Sequence, residues 1–145
     1  MNTKNEMNLS FPSKSCNEAF ARSVVSAFIM NLDPTINELS DIKTAVSEAV
    51  TNCIVHGYRH SGGTIYIRGK ITEKNKVIIK IRDKGCGIED VDKAMEPLYT
   101  TAPEEERAGL GFAVMQSFCD SVRVKSKVGT GTTVTLEKTI FSCDD

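Results

Sequence analysis

Apolar side chains recur along the chain with two periods, near two and near three and a half, and the switches between them predict its elements. Residues 6–11 put Met7, Leu9 and Phe11 on one side of an extended segment ending at Pro12, the expectation for a short first strand. Ser15-Cys16-Asn17-Glu18 has the S-x-x-E form of a capping box and opens a helix to about Leu32 with Phe20, Val24, Ala27 and Phe28 as its apolar face. Pro34 and a second box, Thr35-Ile36-Asn37-Glu38, start a longer helix carrying Leu39, Ile42, Val46, Ala49, Val50 and Cys53, with Gly57 as the expected C-terminal stop. Residues 64–72 and 77–83 then alternate and are rich in β-branched side chains, so Glu73 to Lys76 reads as a hairpin loop. A short helix over 90–96, a loop over 97–107 and a helix over 111–119 precede a last hairpin, 121–126 and 132–139. The expectation is one α+β domain over residues 1–145, a largely antiparallel sheet with helices on one face and no repeat or linker.

Composition narrows the partners. Lys and Arg number 18 against 19 Asp and Glu, for a net charge of −1, so no domain-wide basic field draws in phosphate backbones, and direct nucleic-acid binding is not expected. The apolar stretches fall short of the roughly 18 residues of a membrane span. The first ten residues, MNTKNEMNLS, lack the apolar core of a secretory signal. Cys16, Cys53, Cys86, Cys119 and Cys143 are an odd set without C-x-x-C spacing, which points to a reducing cytoplasm and no structural zinc.

Candidate chemistry sits at four places. Glu48 and Asn52 lie one helical turn apart near the end of the second helix, presenting a carboxylate and an amide together; such a pair also fits an ordinary solvated helix face. Asp83 ends a strand and leads into Lys84-Gly85-Cys86-Gly87, where Gly85 and Gly87 would let a ligand approach the backbone, although Asp-x-Gly is also a common turn. Gly109-Leu110-Gly111 stands at a helix start, where free N–H groups favour an anion. The last hairpin contains Gly129-Thr130-Gly131-Thr132-Thr133. No G-x-x-x-x-G-K-[ST] run occurs, which excludes a P-loop, and no dinucleotide fingerprint follows a strand. His56 and His60 read as a helix-end packing residue and an exposed loop residue rather than as phosphoacceptors or ligands, and Glu104 to Glu106 as a solvated loop tip.

In this order, E-x-x-x-N, D-x-G-x-G, G-x-G and G-T-T resemble the ATP-binding superfamily of gyrase-type topoisomerases, histidine kinases and mismatch-repair ATPases, over Thr35 to Lys138. Its fold is a two-layer α/β sandwich of the Bergerat (GHKL, histidine-kinase-like ATPase) type. The chain as a whole is similar to a family within it, the sporulation anti-sigma factors of spore-forming bacteria that are also serine kinases. That likeness rests on residues 17–22, 32–35, 46–52, 56–58, 97–101 and 107–112.

The resemblance implies a homodimer that sequesters a sigma factor and uses ATP to phosphorylate an anti-anti-sigma protein on serine. It implies Asn52 as the Mg²⁺ ligand, Glu48 as the base for the acceptor serine, and Asp83 as acceptor of the adenine amino proton. Gly87 would lie beneath the base, Gly85 beside it, and Thr132 would support it through water. Gly109 and Gly111 would line the phosphates, Arg107 would reach the γ-phosphate, and Arg22 would touch the partner, its alternative being a solvated helix charge. Cys53 and Cys86 stand where members of the family often carry small apolar residues. Two other readings are a histidine-kinase catalytic domain, which would need a helical phosphoacceptor domain before the strand and helix of the first 32 residues, and a nucleotide-gated binding module, in which Glu48 would have no task. The short first strand, with few partners inside so small a domain, is the expected dimer contact.

Overall fold

A computed structural model describes residues 2–96 and 111–141. Five strands form one antiparallel sheet in the order β1-β2-β3-β5-β4, built from β1 (Thr3–Pro12), β2 (Thr64–Thr72), β3 (Lys76–Asp83), β4 (Ser121–Lys127) and β5 (Gly131–Thr139). Helices α1 (Asn17–Ile29), α2 (Ile36–Asn52), α3 (Val91–Ala94) and α4 (Phe112–Phe118) complete the described chain, with a 3₁₀ turn at Met30–Leu32 and a π-helical turn at Cys53–Gly57. The sandwich expected from the sequence is the fold observed.

Alternation along the strands decides which side is covered. Ile65, Ile67 and Ile71 of β2, Val77, Ile79 and Ile81 of β3 and Val134 and Leu136 of β5 are buried, and they meet Ala21, Val25 and Ile29 of α1 and Ile42, Val46 and Ala49 of α2 in one core. The opposite face carries Arg68, Lys80, Arg82, Arg123, Lys125 and Lys127, all exposed. A net charge of −1 therefore hides a two-sided distribution. Met7, Leu9 and Phe11 point to the core side as expected, and β1 is four residues longer than its apolar pattern because its backbone pairs with β2 from Thr3 to Pro12.

Three local expectations are corrected. The helical face of α1 is Ala21, Val25 and Ile29, not Phe20, Val24, Ala27 and Phe28. Phe20 is 46% exposed and stacks edge-on against Phe11 at 6.0 Å, while Phe28 is half-buried against Gly69, where a Cβ would come within 2.9 Å of its ring. Both stripes have helical spacing, and packing of the small Ala21 against neighbouring elements selects between them.

The first capping box does not form: the N-cap is Cys16, without a side-chain bond. Glu18 instead takes the Arg22 guanidinium at 2.6 Å and the Ser47 hydroxyl, a charge-assisted tie between α1 and α2 that outweighs a bond to a backbone N–H.

Gly57 is the last residue of the π turn and not a left-handed stop; the chain reverses through positive φ at Arg59 (49°) and His60 (63°). Glycine is required at 57 for a different reason, given below.

The second box forms in full. Glu38 N–H donates to Thr35 Oγ1 at 3.0 Å and Thr35 N–H to Glu38 Oε1 at 2.9 Å. Thr35→Ala should lower the stability of the chain by about 1 kcal/mol. Urea unfolding should show a lower midpoint at unchanged slope, and an unchanged midpoint would show that the box does not hold α2.

Candidate functional site

The inward positions of β3 are Val77, Ile79, Ile81 and then Asp83, so the alternation that builds the core delivers a carboxylate into it. Asp83 is 5% exposed. Gly85 N–H donates to its Oδ1 at 2.9 Å, and the Cys53 thiol and the Thr132 N–H also donate to the carboxylate. Burial nevertheless dominates and holds the Asp83 pKa above the ordinary carboxylate range. Burial, with the Asp83 charge adding to it, pushes the Cys53 thiol well up, so Cys53 stays protonated and remains a donor.

Backbone proximity explains the glycines. A Cβ on Gly57 would sit 2.7 Å from Asp83 Oδ2, so the carboxylate lies directly against the π turn. A Cβ on Gly85 would lie 2.1 Å from the Gly57 carbonyl oxygen, and that same oxygen accepts from Cys86 N–H at 2.9 Å. Gly85 thus makes room for the chain's own backbone, and it is not among the residues that line the cavity beside Asp83. Gly87 does line it, with φ at +80° and no space for a Cβ beside the Lys127 carbonyl.

That cavity, of about 120 Å³, is bounded by Asn52, Cys53, Gly57, Asp83, Gly87 and Thr132, with Ile88, Phe112 and Val134 supplying apolar walls. Thr132 pairs with Asp83 across β5 and β3, and its Oγ1 lies 2.7 Å from Ser126 Oγ. Asn52 is buried rather than on a solvated face, at the end of α2 where the π turn begins. Glu48, one turn before it, reaches the start of α4, where a Cβ on Gly111 (φ +72°) would fall 2.2 Å from Glu48 Oε1. A larger concavity, about 780 Å³, lies on the open basic face of the sheet; it shares Asp83 and Thr132 with the smaller cavity but lacks Asn52 and Gly87.

Among the described residues no cluster of three or more His, Cys, Asp or Glu could hold a metal. Asn52 contributes one hard amide oxygen, a donor set that suits a magnesium ion keeping water and phosphate oxygens as its other ligands. Arg22 belongs elsewhere, to a groove between α1 and α2 with Leu39, Lys43 and Ser47. Arg107 and Gly109, the loop over 97–107 and Cys143 lie outside the described residues.

Sequence reasoning missed Gly57, Cys53 and Ser126 as parts of this site. Gly57 and Cys53 could have been suspected from their place directly after Asn52; Ser126 carried no signal before its register with Thr132 was known.

The family model for the histidine kinase-like ATPase domain matches residues 11–138. The chain is 58% identical over 142 residues to an anti-sigma F factor of Thermoanaerobacter sp. (strain X514), covering 98% of this chain and 99% of that one. It is 54% identical over 136 residues to one from Priestia megaterium, covering 93% and 92%. Among solved structures, that of the RsbU and RsbW domains of Rv1364c from Mycobacterium tuberculosis aligns with a TM-score of 0.67 at 15% identity, over 94% of this chain and 33% of that one. A histidine kinase domain from the blue-light activated histidine kinase of Erythrobacter litoralis EL346 aligns with a TM-score of 0.56 at 18% identity, over 85% and 60%. At such identities these two structures speak to the fold.

The raised pKa of Asp83 fixes a sign. Between its unfolded and folded pKa values the folded chain holds more protons, so Asp83 makes stability fall as pH rises through that window, the reverse of a salt-bridged aspartate. Asp83→Asn removes that dependence. Its urea midpoint should therefore gain on the wild type as pH is raised from the acid range to neutrality, and a gap independent of pH would mean that Asp83 titrates like a solvated carboxylate.

Proposed function

Since the chain belongs to the histidine kinase-like ATPase domain family and, within it, to the anti-sigma F factors, we propose that residues 1–145 act in the cytoplasm as a single-domain, nucleotide-dependent switch on transcription. In this reading the chain binds ATP or ADP in the Asp83 cavity, holds a sigma factor of RNA polymerase inactive, and transfers phosphate from ATP to a serine of an anti-anti-sigma protein. The observation that carries it is the buried carboxylate of Asp83 lining one cavity together with Asn52, with Glu48 one helical turn before Asn52 on α2.

Each residue has a physical task. Asp83 is acceptor-only when ionised and takes the exocyclic amino proton of adenine, while Gly87 leaves the base room. Magnesium, when present, would be held by Asn52 and would neutralise charge on the phosphates. Glu48 faces the acceptor hydroxyl and takes its proton as the oxygen attacks. Gly111 lets that carboxylate approach the start of α4. Gly109 and Arg107 would line the phosphates and contact the γ-phosphate, as the resemblance implies.

Glu48 favours a kinase over a binding module that only responds to nucleotide, because gating has no use for a positioned carboxylate. Arg22 retains donors beyond its bond to Glu18 and, with the 86% exposed Ile36 nearby, suits a partner carboxylate in the α1–α2 groove. Strand β1 is an edge of the sheet, and its outer row of backbone groups suits pairing with a second copy.

Two measurements test this. Glu48→Gln should keep affinity for Mg·ATP yet slow labelled-phosphate transfer to the antagonist about 10²-fold or more, whereas Asn52→Ala should weaken Mg·ATP binding itself. Wild-type transfer by Glu48→Gln would remove Glu48 from the chemistry. Sedimentation at micromolar concentration should give about twice the 15.9 kDa chain mass, and a monomer would refute the homodimer.

A further inference from the structure

The open face of the sheet is more basic than contact with water requires. Across the strands the register sets Asn8, Arg68, Lys80, Thr135 and Arg123 in one row and Ser10, Tyr66, Arg82, Thr133 and Lys125 in the next. Arg68 stands directly opposite Lys80, and like charges so placed are destabilising. The side chains between the cations are neutral, and the rows border the concavity of about 780 Å³, lined by Arg68, Lys80, Arg82, Lys125 and Lys127 among others. Asp83 is the one carboxylate among the described residues lining it, and it is buried.

Edge protection does not account for this pattern. Lysines on β4 guard a sheet edge, but Arg68 lies on β2 and Lys80 and Arg82 on β3, inside the sheet. Glu6 lies 3.7 Å from Arg68 with both side chains half exposed, a pair that contributes little in water. Lys80, Lys125 and Lys127 have no ion-pair partner among the described residues.

We infer that this face docks an extended, carboxylate-rich segment of a protein partner. Cations two residues apart on a strand, Lys80 and Arg82 or Lys125 and Lys127, stand about 6.8 Å apart, the spacing of alternate side chains on an extended chain. A second copy presents the same charge and is repelled. Single-stranded nucleic acid needs rings to stack on, and Tyr66, the one aromatic side chain in the lining, already holds Arg82 and Lys84 over its ring at 6.0 and 5.0 Å. A lipid surface needs exposed apolar side chains, whereas Leu9 and Ile67 in the lining belong to the core.

Fluorescence anisotropy of the full chain with a labelled peptide of alternating glutamate and serine tests this. A glutamine–serine peptide, a labelled oligothymidylate and co-sedimentation with phosphatidylserine vesicles stand beside it. The glutamate peptide should bind at low salt, weaken as salt is raised, and bind about tenfold more weakly to the double variant Lys80→Glu, Lys125→Glu. Lys74→Glu, in the β2–β3 loop, should leave binding unchanged, and the glutamine peptide should not bind. Lys80→Glu also sets opposite charges across from Arg68, so its urea midpoint should rise. If the double variant does not fold, Lys80→Gln with Lys125→Gln replaces it. Undiminished binding by the double variant, or an equal loss in Lys74→Glu, would overturn the proposal. Tighter binding of the oligothymidylate or the vesicles than of the glutamate peptide would also overturn it, and would give the face to a nucleic acid or a membrane.

Discussion

The contact on which the rest depends is the Asp83 carboxylate resting on the backbone of Gly57. Burying a carboxylate is costly, and here three donors and a side-chain-free neighbour make it tolerable without removing the cost. The π turn is the device that brings Gly57 there: Tyr58 N–H bonds back to the Cys53 carbonyl at 2.8 Å, and the wider turn swings the end of α2 across the sheet. Single-turn π bulges often mark functional sites because they trade regular geometry for side-chain placement. In this case the turn begins at Cys53, whose thiol donates to Asp83, and follows directly on the buried Asn52.

Around that contact the loop of residues 83–88 is bonded on both sides. Cys86 N–H and its thiol reach the π turn, at Gly57 O and His56 O, while Ile88 N–H reaches Ser126 and Gly129 N–H returns to Cys86 O. The site is thus assembled from three distant parts of the chain held by backbone bonds. Tyr58 adds a fourth tie, donating to Thr64 O at 2.5 Å and accepting from Lys84 N–H at 2.7 Å.

Most of the elements were legible because strand and helix periods differ and the sheet has one wet face. The face of α1 was not, since two apolar stripes overlap and only packing chooses between them. The Ser15 box was misread because Glu18 finds charged and hydroxyl partners that lie 29 residues away at Ser47 as well as one turn on at Arg22. Asp83, Asn52 and Thr132 were found as motif residues, but motif spacing says nothing about who packs on whom. Gly57 read as a helix stop, when it answers to a close approach between two loops of the same chain that also requires a glycine at 85.

The central claim is that the small enclosed cavity at Asp83, and not the wide basic concavity on the open face, takes the nucleotide. An amide NMR titration of the full chain with Mg·ADP separates them. The account predicts shifts concentrated at Gly57, Gly87, Ile88 and Phe112, with Arg68, Lys80 and Lys125 unmoved. Shifts centred on Arg68, Lys80 and Lys125, with Gly57, Gly87 and Ile88 silent, would contradict it.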